Sequence, residues 1–292
     1  MSQPAEITIL GANPHNIGSH LGRIRELYDN EGAALLRGFL LNDTIYEQFR
    51  SELSQVVLQL AHRAGIPIDQ HASLDDQVSQ LAEKRRDLAG KIYDLGTRPN
   101  KLISGMALKL HPALLRIVRF LFPENALLAS PTLSDTLHVF PPGEDSYRYN
   151  LPIHQDYPYL LQSPNQVTFA ISFSRSSADV GGMTLWQGSH AAGTRKHRRA
   201  NHGHLECVID GANLATYAET RCDCDIGDVV VFHSNILHRS ERNFTADKTR
   251  LVQLFRFSDL NDDESRRIAW ENADVHPRAK RFEDLYPELI VP

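Results

Sequence analysis

Cysteine is scarce in this 292-residue chain: Cys207, Cys222 and Cys224 are all there is, crowded into one stretch. An odd, local set of this kind excludes a disulfide framework and fits reduced thiols in a cytoplasm. Cys222-Asp223-Cys224 also lacks the second cysteine pair that would complete a tetrahedral zinc site. Long hydrophobic runs are missing as well. Stretches such as Ala33 to Leu36 and Val229 to Phe232 fall far short of the roughly 20 residues of a membrane-spanning helix, so no span is expected. The start, Met1-Ser2-Gln3-Pro4-Ala5-Glu6, has neither a positive region nor an apolar run and predicts no secretory leader. Positive charge is not in excess: 31 Lys+Arg against 36 Asp+Glu leave a net charge of −5, which argues against a nucleic-acid partner held by bulk charge. What remains is ordinary globular composition, 41% hydrophobic, at a length that buries a core without staples.

The periodicity divides the chain. Leu21 to Asp29 reads as a short helix and Ala33 to Gly38 as a buried strand ended by glycine. Asn42 or Asp43 then caps a helix to about Ala64, with Ile45, Phe49, Leu53, Val56, Val57 and Leu60 on one face. A second helix is expected over roughly Leu74 to Leu95, and two shorter ones near Lys101 to Leu110 and Pro112 to Phe122. From Leu127 the pattern turns to short strands: Thr136 to Phe140, Val167 to Phe173, Gly182 to Trp186, Leu205 to Ile209, Asp228 to His233 and Thr249 to Phe257. Many short strands predict an antiparallel sandwich or barrel. A helix is expected again over Asp262 to Glu271. No repeat or low-complexity linker separates the parts, so one domain is expected over 1–292. It comprises a mainly helical covering layer at 1–126, a β core at 127–260, and a C-terminal helix and tail at 261–292.

Histidine is the abundant oddity. Eight of 14 lie between His138 and His238, about a third of the chain. Within that region Ile153-His154-Gln155-Asp156 is followed, 84 residues after His154, by Leu237-His238-Arg239-Ser240. On a strand, residues i and i+2 share a face, so His154 and Asp156 can present an imidazole and a carboxylate to one point. A second histidine completes two His and one carboxylate at three corners of an octahedron, the ligand set of non-haem Fe(II) oxygenases. His238 and His233 both compete for that place. Arg250 lies 12 residues after His238, where a guanidinium fork can bind a carboxylate, and Ser240 shares the parity of His238; both favour His238. Together these are the parts that would hold 2-oxoglutarate, with Arg256, on the same strand face as Arg250, as the alternative anchor.

The stretch from His154-Gln155-Asp156 through Gly181-Gly182-Met183-Thr184-Leu185-Trp186-Gln187-Gly188-Ser189-His190 to Gly227-Asp228-Val229-Val230-Val231-Phe232-His233-Ser234-Asn235-Ile236-Leu237-His238-Arg239-Ser240, with Asn243 and Arg250, resembles the phytanoyl-CoA dioxygenase family. The resemblance covers about 100 residues, Ile153 to Phe257, and the strand at Ala33 with its helix is similar to the family's N-terminal start. It implies a mainly β fold with flanking helices: a double-stranded β-helix, or jelly roll, carrying an N-terminal helical layer. It further implies His154, Asp156 and His238 as Fe(II) ligands and Arg250 as the anchor of the co-substrate 2-oxoglutarate. O2 is then reduced while 2-oxoglutarate is converted to succinate and CO2, and an unactivated C–H bond is oxidised. Relatives that halogenate have a small residue in place of the carboxylate, so Asp156 predicts hydroxylation. Gln187 departs from the family, which commonly has proline there.

Further candidates follow from position. Ser240, Thr168 and His138 are placed near 2-oxoglutarate, and Arg148, Tyr149, Gln166, Tyr157 and Arg198 near the substrate. Thr194 to Arg199 reads as a basic loop, either solvated or an anion site at the pocket mouth for a carboxylate, phosphate, phosphonate or acyl-CoA. The expected partner is a small, polar or anionic metabolite, with no nucleic acid and no membrane; an oligomer is open. Two other classes compete. A cupin-like enzyme without 2-oxoglutarate would use a His-x-His pair, of which His202-Gly203-His204 is the one example. A non-catalytic barrel acting as a binding module would have no need of the full triad and Arg250.

Overall fold

The computed structural model describes residues 5–97, 102–130, 136–141, 151–161, 163–200, 205–268 and 281–291. A two-residue strand, β1 (Thr8–Ile9), precedes α1 (Leu21–Glu31), which ends at Gly32 with φ 79° and leads directly into β2 (Ala33–Leu36). Asp43 starts α2 (Thr44–Arg63): its carboxylate accepts from the backbone N–H of Ile45 and Tyr46, satisfying donors that the first turn leaves orphaned. Phe49, Leu53, Val57 and Ala61 form its buried stripe. The single helix expected at 74–95 is two. Ser73 caps α3 (Leu74–Lys84), and α4 (Arg86–Thr97) starts after Arg85, which leaves helical geometry at φ −150° and ψ 83°. The break lets α3 pack on α2 while α4 packs against a strand, which one straight rod would not reach. α5 (Ile103–Lys109) and α6 (Pro112–Leu121) complete the layer, the latter with proline at its first position.

The strands follow: β3 (Leu128–Ala129), β4 (Thr136–Phe140), the single turn α7 (Tyr157–Leu160), β5 (Gln166–Ser172), β6 (Met183–Gln187), β7 (His197–Arg199) and β8 (Leu205–Cys207). After the short α8 (Gly211–Leu214) come β9 (Ala218–Cys222), β10 (Val229–His233), β11 (Leu237–Ser240) and β12 (Arg250–Asp259), then α9 (Asp263–Ile268) and α10 (Phe282–Leu285). The major sheet runs β1-β2-β10-β5-β12-β3, with β4 also paired to β12; every pairing except β1 with β2 is antiparallel. The second sheet is β11-β6-β9, and a bridge from His154 to His238 extends it. β7 and β8 form a separate ribbon. Thus β7 takes the second half of the stretch expected as a basic loop, Thr194 to Arg199, and β1 and β9 are strands beyond those expected. Among the described residues, the expected helix after Asp262 is helical over α9 only.

Strand alternation sorts the major sheet into two surfaces. Leu36, Phe169, Ile171, Val229, Val231 and Phe255 face the helices and share one core with Leu53, Val57, Leu114 and Ile117. Their neighbours Leu35, Ala170, Val230, Phe232 and Val252 face the other way, where they meet Leu185 and Cys222 of the second sheet and Cys224 just beyond it. The architecture is that of a jelly roll with a helical layer on one face, although the two sheets are not hydrogen-bonded into a closed barrel among the described residues. Gln187, the departure from the resembled family, has a job here: its side chain accepts from Ala5 N at 2.9 Å and donates to Ala5 O at 2.8 Å, pinning the chain ahead of β1. At the other terminus Phe282 and Tyr286 pack with Tyr157, Leu161, Leu205 and Ile268, and Val291 N donates to His197 O at 2.9 Å.

Candidate metal centre and co-substrate pocket

Three buried side chains converge between the sheets. One ligand atom each from His154, Asp156 and His238 lies within 4.8 Å of the others. Nε2 of His154 is 3.9 Å and Nε2 of His238 3.6 Å from Oδ1 of Asp156, and the two rings are 4.1 Å apart between centroids. The backbone reason differs from the expectation. His154 holds a strand position beside His238, but Asp156 is not its strand neighbour: at φ −70° and ψ −35° it is the N-cap of α7. The chain turns there because the N–H groups of Asp156 and Tyr157 both reach back to Ser234 O, at 2.8 and 3.3 Å. A turn, rather than strand parity, brings the carboxylate onto the imidazoles.

Each histidine is fixed in the state that ligation needs. Nδ1 of His154 is 2.7 Å from Pro152 O, and Nδ1 of His238 is 3.1 Å from Ile236 O. A carbonyl only accepts, so Nδ1 carries the proton and the Nε2 lone pair points into the site. Burial reinforces this by disfavouring the imidazolium. It holds His154 down to about 3, with His238 adding to the effect, and lowers His238 as well. Asp156 is equally buried, and burial alone would raise its pKa; Arg256 and the two histidines outweigh that and hold it below the usual carboxylate range. Two neutral imidazoles and one carboxylate, open on one side, fit a divalent iron.

The adjoining cavity is lined by His138, Phe140, Ser172, Met183, Cys222, Cys224, Ser240, Arg250, Val252, Leu254 and Arg256 along with the three ligands. Arg250 is buried; its Nη1 donates to Gly182 O at 3.0 Å, and its guanidinium carbon lies 4.1 Å from the centroid of the Phe140 ring. Burial lowers its pKa to about 10, which leaves it charged at neutral pH. His138 stacks on Phe140 at 5.7 Å and 17°. Arg256 shares the cavity, but its Nε donates to Oδ2 of Asp156 at 3.0 Å, as does the Thr168 hydroxyl at 3.0 Å.

The remaining candidates disperse. Gln166 is buried beside Ser258, to whose hydroxyl it donates at 2.8 Å. Tyr157 points to Tyr286, hydroxyl to hydroxyl, in the C-terminal cluster. Arg198 is exposed and paired with Glu206, and its neighbour Arg199 with Glu283. Arg148, Tyr149 and the His202-Gly203-His204 pair lie outside the described residues. His233 sits at the end of β10, with its ring 5.2 Å from His190 and 5.5 Å from Tyr28. Cys222 and Cys224 were readable only as thiols; Cys222 reaches the cavity from the end of β9, and Cys224 from the bridge to Ser176 just after it.

A family model described as phytanoyl-CoA dioxygenase matches residues 28–252. Among curated proteins, a 1-deoxypentalenic acid 11-beta-hydroxylase of Streptomyces arenae is 25% identical over 232 residues, 75% of this chain and 74% of that one. Among solved structures, the epimerase SnoN, in complex with Fe3+, alpha ketoglutarate and nogalamycin RO, superposes with a TM-score of 0.58 at 14% identity, covering 90% of this chain and 94% of that chain. EctD from S. alaskensis, with 2-oxoglutarate and 5-hydroxyectoine, gives a TM-score of 0.51 at 16% identity, covering 82% and 76%.

Proposed function

The chain belongs to the phytanoyl-CoA dioxygenase family of non-haem iron, 2-oxoglutarate-dependent oxygenases, and from that premise we propose that it hydroxylates an unactivated C–H bond of a small, polar or anionic organic molecule, with release of succinate and CO2. The observation that carries this reading is the facing set of His154 Nε2, His238 Nε2 and Asp156 Oδ1 in a cavity that also receives Arg250 and Ser240. The relative from Streptomyces arenae has an acid in the name of its substrate, which supports an anionic substrate here.

His154, Asp156 and His238 would hold Fe(II), which supplies the capacity to activate O2 at the expense of 2-oxoglutarate. Arg250 binds the far carboxylate of 2-oxoglutarate: Phe140 covers one face of its guanidinium, Gly182 O takes one N–H, and the fork left between them is aimed by strand β12. Ser240, two residues beyond His238 on β11, adds a hydroxyl donor from the facing sheet. Val230, Phe232, Val252 and Leu254 line the walls and keep water from the reacting groups. No side chain in the cavity is required as a nucleophile. Burial keeps the histidines neutral, and their carbonyl partners hold the proton at Nδ1, away from the ligating atoms.

The test is succinate formation from 2-oxoglutarate by purified protein, with and without Fe(II), followed by a screen of carboxylic and other polar metabolites for coupled turnover. Iron-dependent succinate formation that one such compound accelerates is expected. Absence of both 2-oxoglutarate binding and succinate formation in the metal-loaded protein would overturn the reading.

A further inference from the structure

Asp156 has two oxygens, and the protein treats them differently. Oδ1 faces the two imidazoles. Oδ2 accepts the Thr168 hydroxyl and the Arg256 Nε–H, both at 3.0 Å. Those two donors come from adjacent strands of the major sheet at directly opposed positions, since Arg256 and Thr168 are register partners in the β5–β12 pairing. Both are buried, and the Arg256 side chain is only 9% exposed. His154 and His238 belong to the second sheet. Asp156 therefore joins the sheets, through one oxygen on each side.

The geometry points to Arg256 and Thr168 as positioning residues that clamp Oδ2 and so present Asp156 to the metal through Oδ1 alone. This rests on the functional reading above but assigns a role to residues outside the ligand triad. A carboxylate has lone pairs on both oxygens and binds a divalent cation through one or both of them. Two bonds on Oδ2, one of them from a guanidinium, hold the group in a one-oxygen posture that would leave more room at a bound cation for co-substrate or O2. The clamp also explains how a buried guanidinium is accommodated beside a divalent cation: Asp156 stands between them. A tandem hold, guanidinium plus hydroxyl, fixes two directions at Oδ2 where a single donor would fix one.

The test is binding of Mn(II) alone to the metal-free protein, read by the electron paramagnetic resonance of free Mn(II), together with the visible spectrum of the Co(II)-loaded protein. Arg256→Met is expected to weaken Mn(II) binding about 10- to 100-fold and to change the Co(II) bands. Arg256→Lys is expected to recover part of the affinity, because it restores charge without the fork. Thr168→Val, close in shape, is expected to weaken binding by a smaller factor, and Thr168→Ser to match wild type. A merely structural role would lower the melting temperature without moving the metal affinity of the folded fraction or the Co(II) spectrum. Unchanged Mn(II) affinity and Co(II) bands in folded Arg256→Met would overturn the clamp; if that variant does not fold, the same result in Thr168→Val would do so. A wild-type chain that binds neither Mn(II) nor 2-oxoglutarate would instead overturn the functional reading, and the clamp with it.

Discussion

His154 and His238 are hydrogen-bonded to each other through their backbones in both directions: His154 N donates to His238 O at 2.9 Å, and His238 N to His154 O at 3.1 Å. This is the hydrogen-bonded antiparallel pair, in which two side chains stand directly opposite on one face of a ladder. The distance between the imidazoles is thus set by main-chain geometry and does not depend on long, adjustable side chains. Replacing either ring leaves the ladder intact. His238→Ala is accordingly expected to keep wild-type secondary structure by circular dichroism while losing more than about 100-fold of iron-dependent succinate formation.

Arg250→Ala should act on the co-substrate and spare the metal. Loss of a charged hydrogen-bond donor to a carboxylate is expected to raise the KM for 2-oxoglutarate about 10- to 100-fold, with Mn(II) affinity unchanged. Steady-state kinetics over 2-oxoglutarate and a metal titration check the two halves separately.

Gly181 has φ 79°, and a Cβ placed on it would stand 2.6 Å from the Glu241 carbonyl oxygen. Its neighbour Gly182 supplies the carbonyl that Arg250 uses. Gly181→Ala is expected to destabilise the protein by more than about 1 kcal/mol, and, by shifting the 182 carbonyl, to raise the KM for 2-oxoglutarate as well. Urea unfolding and the same kinetics read the two effects.

Acid should weaken the metal-free protein through its buried histidines. Burial holds His154 to about 3, His233 to about 3 and His197 to about 4, against the ordinary 6.5 of a free imidazole. A folded pKa below the unfolded one means that the unfolded chain takes up more protons once pH falls beneath about 6.5. Stability is therefore flat above that point and declines from about 6.5 down to the folded values, each histidine adding about 1.4 kcal/mol per pH unit to the slope. Urea midpoints at pH 7.5, 5.5 and 4.5 measure it, and His197→Leu is expected to make the decline shallower.

Phe282 is 1% exposed in the cluster that holds Tyr157, the residue after Asp156. Phe282→Ala is expected to cost about 3 kcal/mol of stability and also to weaken Mn(II) binding, because the turn carrying the carboxylate loses its backing. Calorimetry and the metal titration test this pair.

Much of the site was legible because its parts obey strand rules: Arg250 and Arg256 share a face of β12, and Ser240 shares that of His238. Asp156 was found for a reason the structure replaces, since the i, i+2 argument supposed a strand where the backbone turns. Asp156 followed by Pro158 was a helix-start sign left unread, but the acceptor that fixes the turn is Ser234, a residue 78 positions later. Arg256 was read as a second anchor for an anion; pairing with Thr168 across β5 and β12 aims it at Asp156 instead, and register of this kind is invisible in one strand alone. In the fold, caps and stripes located α1, α2 and α6. β1 and β7 escaped because strands of two and three residues are too short to show a period, whereas β9, Ala-Glu-Thr-Arg-Cys, does alternate but has only one fully buried position and so no apolar run to mark it. The break at Arg85 likewise follows from what α3 and α4 pack against, not from a proline or glycine at the joint.

The mutual backbone pairing of His154 and His238 has a consequence for the chain as it is synthesised. The triad cannot assemble until the ribosome has passed residue 238, nor its clamp until residue 256, and the cluster behind Tyr157 is completed only when Phe282 and Tyr286 emerge. Every nascent length short of residue 238 has one histidine and a carboxylate without their partner strand. Iron loading is therefore a late event of biogenesis, following closure of the most sequence-distant contacts, which are the slowest to form.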